Sequence, residues 1–268
     1  MSQADEQLQA LVAAVSSTKK YSQVSPDLIR AIGRRELSNR PSWKEAVKAT
    51  KSKLHQVAGA YQNTKIDYDN ALKLLIESKD SPDQHREACL EIMRQHVSSR
   101  ERLPILADFF QRSLVETTKI QTVLDIACGL NPLAMPWMPF DNQIEYIACD
   151  IYADAVSFLA EYMNLMGING RAEVRDVVQY PPRQKVDLAF ILKSLPCLEQ
   201  LQKGATHRLL DAVQARYMLI SYPVTSLGGR RKGMIANYDA QFENLAVTYN
   251  WSFNRYEYAT ELAFLVKI

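Results

Sequence analysis

Three aspartates recur at near-regular intervals in the second half of the chain: Asp125, Asp150 and Asp176. Each lies in or just after a short apolar run, over residues 122–126, 144–149 and 172–174. Runs of that length and composition suit buried parallel strands. A carboxylate at the tip of a second strand is placed to accept hydrogen bonds from two ribose hydroxyls, and one at the tip of the third could accept from an adenine amino group. The first strand leads into Ala127-Cys-Gly129-Leu-Asn131-Pro132. Gly129 permits a tight turn with close backbone approach, Asn131 suits a helix N-cap and Pro132 a first helical residue. The turn has one glycine, not the three of G-x-G-x-x-G, so a pyrophosphate loses its close-approach positions. Asp also commonly caps the helix after a strand, but three in succession point to an adenosyl ligand without a pyrophosphate. S-adenosylmethionine is therefore expected over NAD.

The elements that must position these groups change character near residue 120. Before it, apolar spacing is helical. Ser42-Trp43-Lys44-Glu45 reads as a capping box opening a helix that ends near Gly59, with Trp43, Val47, Thr50, Leu54, Val57, Ala58 and Tyr61 as its apolar stripe. Lys44, Lys48, Lys51 and His55 form a basic stripe a quarter-turn away. Further helices are expected over 67–78, 84–97 and 102–114. After residue 120, apolar runs at 122–126, 144–149, 172–174, 186–192 and 217–221 alternate with helical stretches such as 153–166 and 198–213. That alternation implies an α/β fold with a parallel sheet covered on both faces. Residues 251–258 and 261–266 suit a terminal antiparallel hairpin on the sheet edge.

Composition narrows the class. The chain has 268 residues, 47% apolar and 23% charged, with a formal net charge of +2. These values exclude a disordered chain, collagen or a coiled-coil rod. No apolar run is long enough to span a membrane, and the first residues lack a signal peptide's basic and apolar regions. The four cysteines show no C-x-x-C pairing and suit small buried thiols, which makes a reducing, cytoplasmic setting the expectation. The near-neutral total hides a basic segment. Between Lys19 and Lys53 lie ten basic and three acidic residues, a net +7 that attracts phosphate.

The motifs carry a specific resemblance. Val123-Leu-Asp-Ile-Ala-Cys-Gly-Leu-Asn-Pro-Leu-Ala134 resembles the first motif of the aminoglycoside-resistance 16S rRNA (guanine-N7) methyltransferases of Arm/Rmt type. Ser221-Tyr-Pro-Val-Thr-Ser-Leu-Gly-Gly-Arg-Arg-Lys-Gly-Met234 is similar to that family's loop after the fifth strand. Thr18-Lys-Lys-Tyr21, Lys53-Leu-His with Gly59-Ala-Tyr61, Ser99-Arg-Glu-Arg-Leu103 and Lys193-Ser-Leu-Pro-Cys-Leu-Glu199 match in the same order. Tyr222 stands where phenylalanine is expected, and Ser194 and Cys197 where leucines are common.

The resemblance implies a helical, basic N-terminal domain over residues 1–115 and a class I, Rossmann-like methyltransferase domain over 116–268. The first would dock on the assembled 30S subunit; the second would methylate a guanine in the decoding-site helix of 16S rRNA. It places Tyr61, Arg102, Ala127, Gly129, Asn131, Asp150, Ile151, Asp176, Val177 and Lys193 around S-adenosylmethionine. Arg102 would pair with the methionine carboxylate, for which a guanidinium fork is well shaped; a surface ion pair with Glu101 or Glu116 is the competing reading. Guanine N7 has an in-plane lone pair and no proton, so no general base and no metal are expected. A flipped base needs a platform. Tyr222 is the first candidate and Tyr238 the second, with packing beneath the loop as the alternative. Lys19, Lys20, Lys44, Lys48, Lys51, His55, Arg230, Arg231 and Lys232 would bind RNA, with Arg230 also helping to position the base. The protein is expected to act as a monomer. A small-molecule methyltransferase, a non-catalytic RNA-binding relative and an enzyme for another ribosomal base are the rival readings; the +7 segment and the intact Asp150 and Asp176 weigh against the first two.

Overall fold

The computed structural model describes residues 2–56, 66–140, 143–225 and 233–268. Three helices come first: α1 (Gln3–Ser16), α2 (Pro26–Asn39) and α3 (Trp43–Leu54). Leu11, Val15, Ile29, Ile32, Ala46 and Leu54 close their shared core. Ser42 caps α3 by accepting from the Glu45 amide at 3.3 Å; of the expected capping box, that half is the one observed. Trp43 does not join the buried stripe. It is 40% exposed at the first turn, and Ala46 takes the inward position with Thr50 and Leu54. Val57, Ala58, Gly59 and Tyr61 lie outside the described residues.

Four further helices follow: α4 (Tyr68–Ser78), α5 (Pro82–Met93), α6 (Val97–Arg102) and α7 (Leu106–Ser113). The single helix expected over 102–114 is broken, because Leu103–Ile105 tightens into a 3₁₀ turn around Pro104. These helices share a continuous core with the sheet. Phe109, Phe110, Leu75 and Ile92 belong to the same cluster as Val123, Tyr146, Leu188 and Phe190. Each such fully buried side chain contributes roughly 1.5–3 kcal/mol.

The sheet contains β1 (Thr122–Ile126), β2 (Glu145–Asp150), β3 (Gly170–Val174), β4 (Lys185–Leu192), β5 (Gln214–Pro223), β6 (Ser252–Glu257) and β7 (Glu261–Lys267). Their order is β3-β2-β1-β4-β5-β7-β6, with β1–β5 parallel and the β6–β7 hairpin antiparallel on the edge, as the apolar runs imply. Helix α8 (Ala153–Leu165) links β2 to β3 on the face of α4–α7. On the opposite face lie α9 (Leu195–Leu201), α10 (Ala205–Ala212) and α11 (Met234–Tyr249). The single helix expected over 198–213 is two, divided at Gly204, whose φ of +76° suits glycine.

The N-terminal helices join the sheet by backbone contacts. The Ser25 amide donates to the Ile151 carbonyl at 2.7 Å, and the Ala153 amide donates to the Gln23 carbonyl at 2.8 Å. Val24 and Tyr152 form an isolated antiparallel bridge between these bonds. Among the described residues, no helix is long and apolar enough to cross a membrane.

Candidate cofactor site

The strand order reverses between β1 and β4, and a cavity opens at the carboxyl ends of the strands there. Arg102, Ala127, Gly129, Asn131, Asp150, Ile151, Asp176, Val177 and Lys193 all line it. Tyr61 lies outside the described residues.

One end of the cavity is built from carboxylates held by backbone amides. Asp150 Oδ2 accepts from the Gly129 amide at 2.8 Å, and Oδ1 accepts from the Ile151 amide at 2.7 Å. Burial pushes the Asp150 carboxyl above its ordinary range, against the pull of those amides. Asp176 Oδ1 accepts from the Val178 amide at 3.0 Å. Its Oδ2 is buried and has no hydrogen-bond partner among the described residues. A buried lone acceptor of this kind is costly unless something donates to it. The adenine amino group expected there has the required donor.

The other end is cationic and was only partly legible. The Arg102 side chain is 3% exposed, so the surface ion pair is excluded. Its Nε and Nη2 donate to Glu261 Oε1 and Oε2 at 2.7 and 2.9 Å, and Nη1 donates to Asn131 Oδ1 at 2.9 Å. Three of the guanidinium's five donors are engaged in this way. Lys193 Nζ donates to the Ser98 carbonyl at 2.6 Å and to Glu101 Oε2 at 3.1 Å, and lies 3.3 Å from Glu261 Oε1. Ser221 Oγ donates to Glu261 Oε2 at 2.9 Å. Burial pushes the Glu261 carboxyl up, but Arg102 and Lys193 outweigh it and hold it below the ordinary range. Sequence reasoning missed Glu261, which looks like the start of an edge strand.

The floor joins the two ends. Asp125 Oδ2 accepts from Tyr146 Oη at 2.7 Å and Asn131 Nδ2 at 2.9 Å, while burial raises its pKa to about 6. His96 also lines the cavity and was missed. Its Nδ1 sits 3.0 Å from Ser99 Oγ, and burial, then the charges of Lys193 and Arg102, lower its pKa to about 4. A Cβ on Gly129 would stand 2.7 Å from His96 Cε1, and Gly129 has φ +53°, so a side chain there would be crowded as well as strained. Ala127 and Lys193 also adopt positive φ, 53° and 56°, at the exits of β1 and β4. Strained backbone of this kind concentrates at ligand sites.

The platform residue is not where it was expected. Tyr222 is 2% exposed and stacks on Tyr238 with ring centroids 4.7 Å apart. Both rings belong to the core of the α9–α11 face, and neither lines the cofactor cavity. Strand alternation explains this: Ser221 faces Glu261, so Tyr222 must face the other way. Arg230, Arg231 and Lys232 lie outside the described residues. Of the basic stripe, Lys44, Lys48 and His55 are exposed and Lys51 half-buried. Lys19 and Lys20 are exposed, and Lys20 Nζ lies 3.0 Å from His55 Nδ1, which brings the α1–α2 link beside α3.

Known proteins resemble this chain along nearly its whole length. A family model described as "Ribosomal RNA methyltransferase (FmrO)" matches residues 17–266. A 16S rRNA (guanine(1405)-N(7))-methyltransferase of Micromonospora echinospora is 33% identical over 267 residues, covering 98% of this chain and 97% of its own. One of Frankia casuarinae is 36% identical over 258 residues, covering 94% and 91%. The crystal structure of 16S rRNA methyltransferase RmtF in complex with S-adenosyl-L-homocysteine matches with a TM-score of 0.82 and 30% identity over 98% of both chains. With that family model spanning residues 17–266 and relatives above 30% identity along nearly its full length, the chain belongs to the FmrO family of ribosomal RNA methyltransferases.

Proposed function

We propose that this protein transfers a methyl group from S-adenosylmethionine to N7 of guanine 1405 in 16S rRNA, the modification that the family resemblance ties to aminoglycoside resistance. The observation that carries the reading is the cavity at the strand ends, which gathers every described residue expected to hold the cofactor. Its relatives named for guanine(1405)-N(7) methylation span nearly their full length in the match.

S-adenosylmethionine, when bound, supplies an electrophilic methyl group on a sulfonium centre. The chain's own part is to hold and orient. Asp150 is fixed by two backbone amides and would accept from the ribose hydroxyls. Asp176 Oδ2 would accept from the adenine amino group. The donors of Arg102 not spent on Glu261 and Asn131, with Lys193 beside them, would hold the amino-acid carboxylate. Guanine N7 carries no proton, so no side chain has to remove one. Alignment and exclusion of water are then the main catalytic contributions.

The exposed Lys19, Lys20, Lys44, Lys48 and His55, with Lys51, would meet phosphates of the small subunit. Arg230, Arg231 and Lys232 would clamp RNA. The helical segment would dock and the sheet domain would methylate, the protein acting as a monomer on the assembled 30S particle. The test is to extract 16S rRNA from cells expressing the protein and map N7-methylguanine by borohydride–aniline cleavage. Cleavage at guanine 1405 is expected; an unmodified decoding site would remove the reading.

A further inference from the structure

Ser194 follows Lys193 at the exit of β4 and occupies the N-cap position of α9. A serine there ordinarily turns its oxygen onto the helix's free amides. Ser194 does not: its φ and ψ are −94° and −31°, and its side chain makes no capping hydrogen bond. The residue is 7% exposed, it lines the cofactor cavity, and Oγ is buried with no hydrogen-bond partner among the described residues. A hydroxyl taken out of water in this way destabilises the fold unless a partner arrives.

The cavity says which part of a ligand lies near. Asp176, with its own orphaned oxygen, marks one end, and Leu198 and Leu201 of α9 also line the wall. Lys193, whose ammonium sits against Glu261 and Glu101, marks the other end. Ser194 is the next residue after Lys193. An amino-acid group drawn to Arg102 and Lys193 by its carboxylate brings an ammonium on the same carbon, with protons that cations cannot accept. A hydroxyl has lone pairs for that ammonium and a proton for the carboxylate.

We propose that Ser194 Oγ hydrogen-bonds the amino-acid end of the bound cofactor, a contact absent where a leucine stands at this position. The inference rests on the S-adenosylmethionine reading above. It also accounts for a sequence departure that the function did not otherwise absorb.

The experiment measures S-adenosylhomocysteine and methylthioadenosine binding by calorimetry, and melting without ligand, for wild type, Ser194→Ala and Ser194→Thr. A hydrogen bond to a charged group corresponds to roughly a tenfold change or more in affinity. Ser194→Ala should therefore bind S-adenosylhomocysteine roughly tenfold more weakly and bind methylthioadenosine, which lacks the amino-acid group, as wild type does. Ser194→Thr, which keeps the hydroxyl, should recover most of the loss. Without ligand, Ser194→Ala should melt no lower than wild type, since the oxygen has no partner to lose. Unchanged S-adenosylhomocysteine affinity in Ser194→Ala overturns the contact. Equal weakening of both compounds also overturns it, by moving the contact to the adenosyl part. A lower melting point without ligand would show an internal partner and count against it. If wild type binds neither compound, the cofactor reading itself fails and this contact with it.

Discussion

Glu261 grips Arg102 through two parallel hydrogen bonds, Nε to Oε1 at 2.7 Å and Nη2 to Oε2 at 2.9 Å, across 159 residues of chain. The same carboxylate lies 3.3 Å from Lys193 Nζ. Two buried cations thus share one carboxylate, and Lys193 has a second at Glu101. Removing one member of a buried ion pair costs roughly 3–5 kcal/mol, because the remaining charge is left uncompensated. Glu261→Gln should destabilise the protein on that scale in urea unfolding and weaken S-adenosylhomocysteine binding in calorimetry. A variant with wild-type stability and affinity would show that the cluster does not depend on this charge.

Asp176 offers the opposite balance. Its Oδ2 is unsatisfied, and burial pushes its carboxyl above the ordinary range. Asp176→Asn should therefore leave stability unchanged or raise it slightly. S-adenosylhomocysteine binding should fall roughly tenfold or more if the side-chain amide turns its donor toward the adenine amino group. Undiminished affinity would place the adenine elsewhere.

The site was legible where chemistry is local and illegible where it is assembled. The run at 122–126 coincides with β1, because a short apolar stretch bounded by polar residues has few other solutions. Asp150, Asp176 and Gly129 were legible because strand ends and turns fix their place. Glu261 and His96 were not, since nothing near them in sequence says that an edge hairpin and a helix cap meet Arg102 and Gly129. Tyr222 shows a different failure. One step along a strand reverses the face, and the adjacent Ser221 holds the inward position. The helix break at Gly204 was hidden because apolar spacing continues across it.

His96 sets a sign for pH dependence. Its pKa is lowered to about 4 in the folded protein from the ordinary imidazole range near 6.5, so the unfolded chain binds the proton more readily. The stability it contributes is present above about pH 6.5 and lost as pH falls toward 4. Asp125, raised to about 6, acts in the reverse direction: its ionisation in the folded state costs stability as pH rises from the ordinary carboxylate range to about 6. His96→Asn keeps a capping side chain and removes only the first effect. Its stability relative to wild type should improve by roughly 1–3 kcal/mol between pH 7 and pH 4, as read from urea midpoints. A constant difference across that range would show that His96 does not titrate differently on folding.

Lys44→Glu/Lys48→Glu/Lys51→Glu tests the basic face. Affinity for purified small subunits should fall while affinity for S-adenosylhomocysteine stays the same. The log–log salt dependence should flatten by roughly 0.7–0.9 for each phosphate no longer neutralised, by analogy with nucleic acids in general. Wild-type affinity with an unchanged salt slope would leave these lysines merely solvated.

The backbone bonds from Ser25 to Ile151 and from Ala153 to Gln23 give the two ligands a common ledge. Ile151 and Tyr152 form part of the cofactor cavity, and the segment they hold runs back to Lys19 and Lys20. In the proposed function the cofactor and the ribosomal subunit would meet through a few shared peptide groups, and any thermodynamic linkage between them would run both ways. Whatever factor the cofactor adds to the subunit's affinity, the subunit must add to the cofactor's.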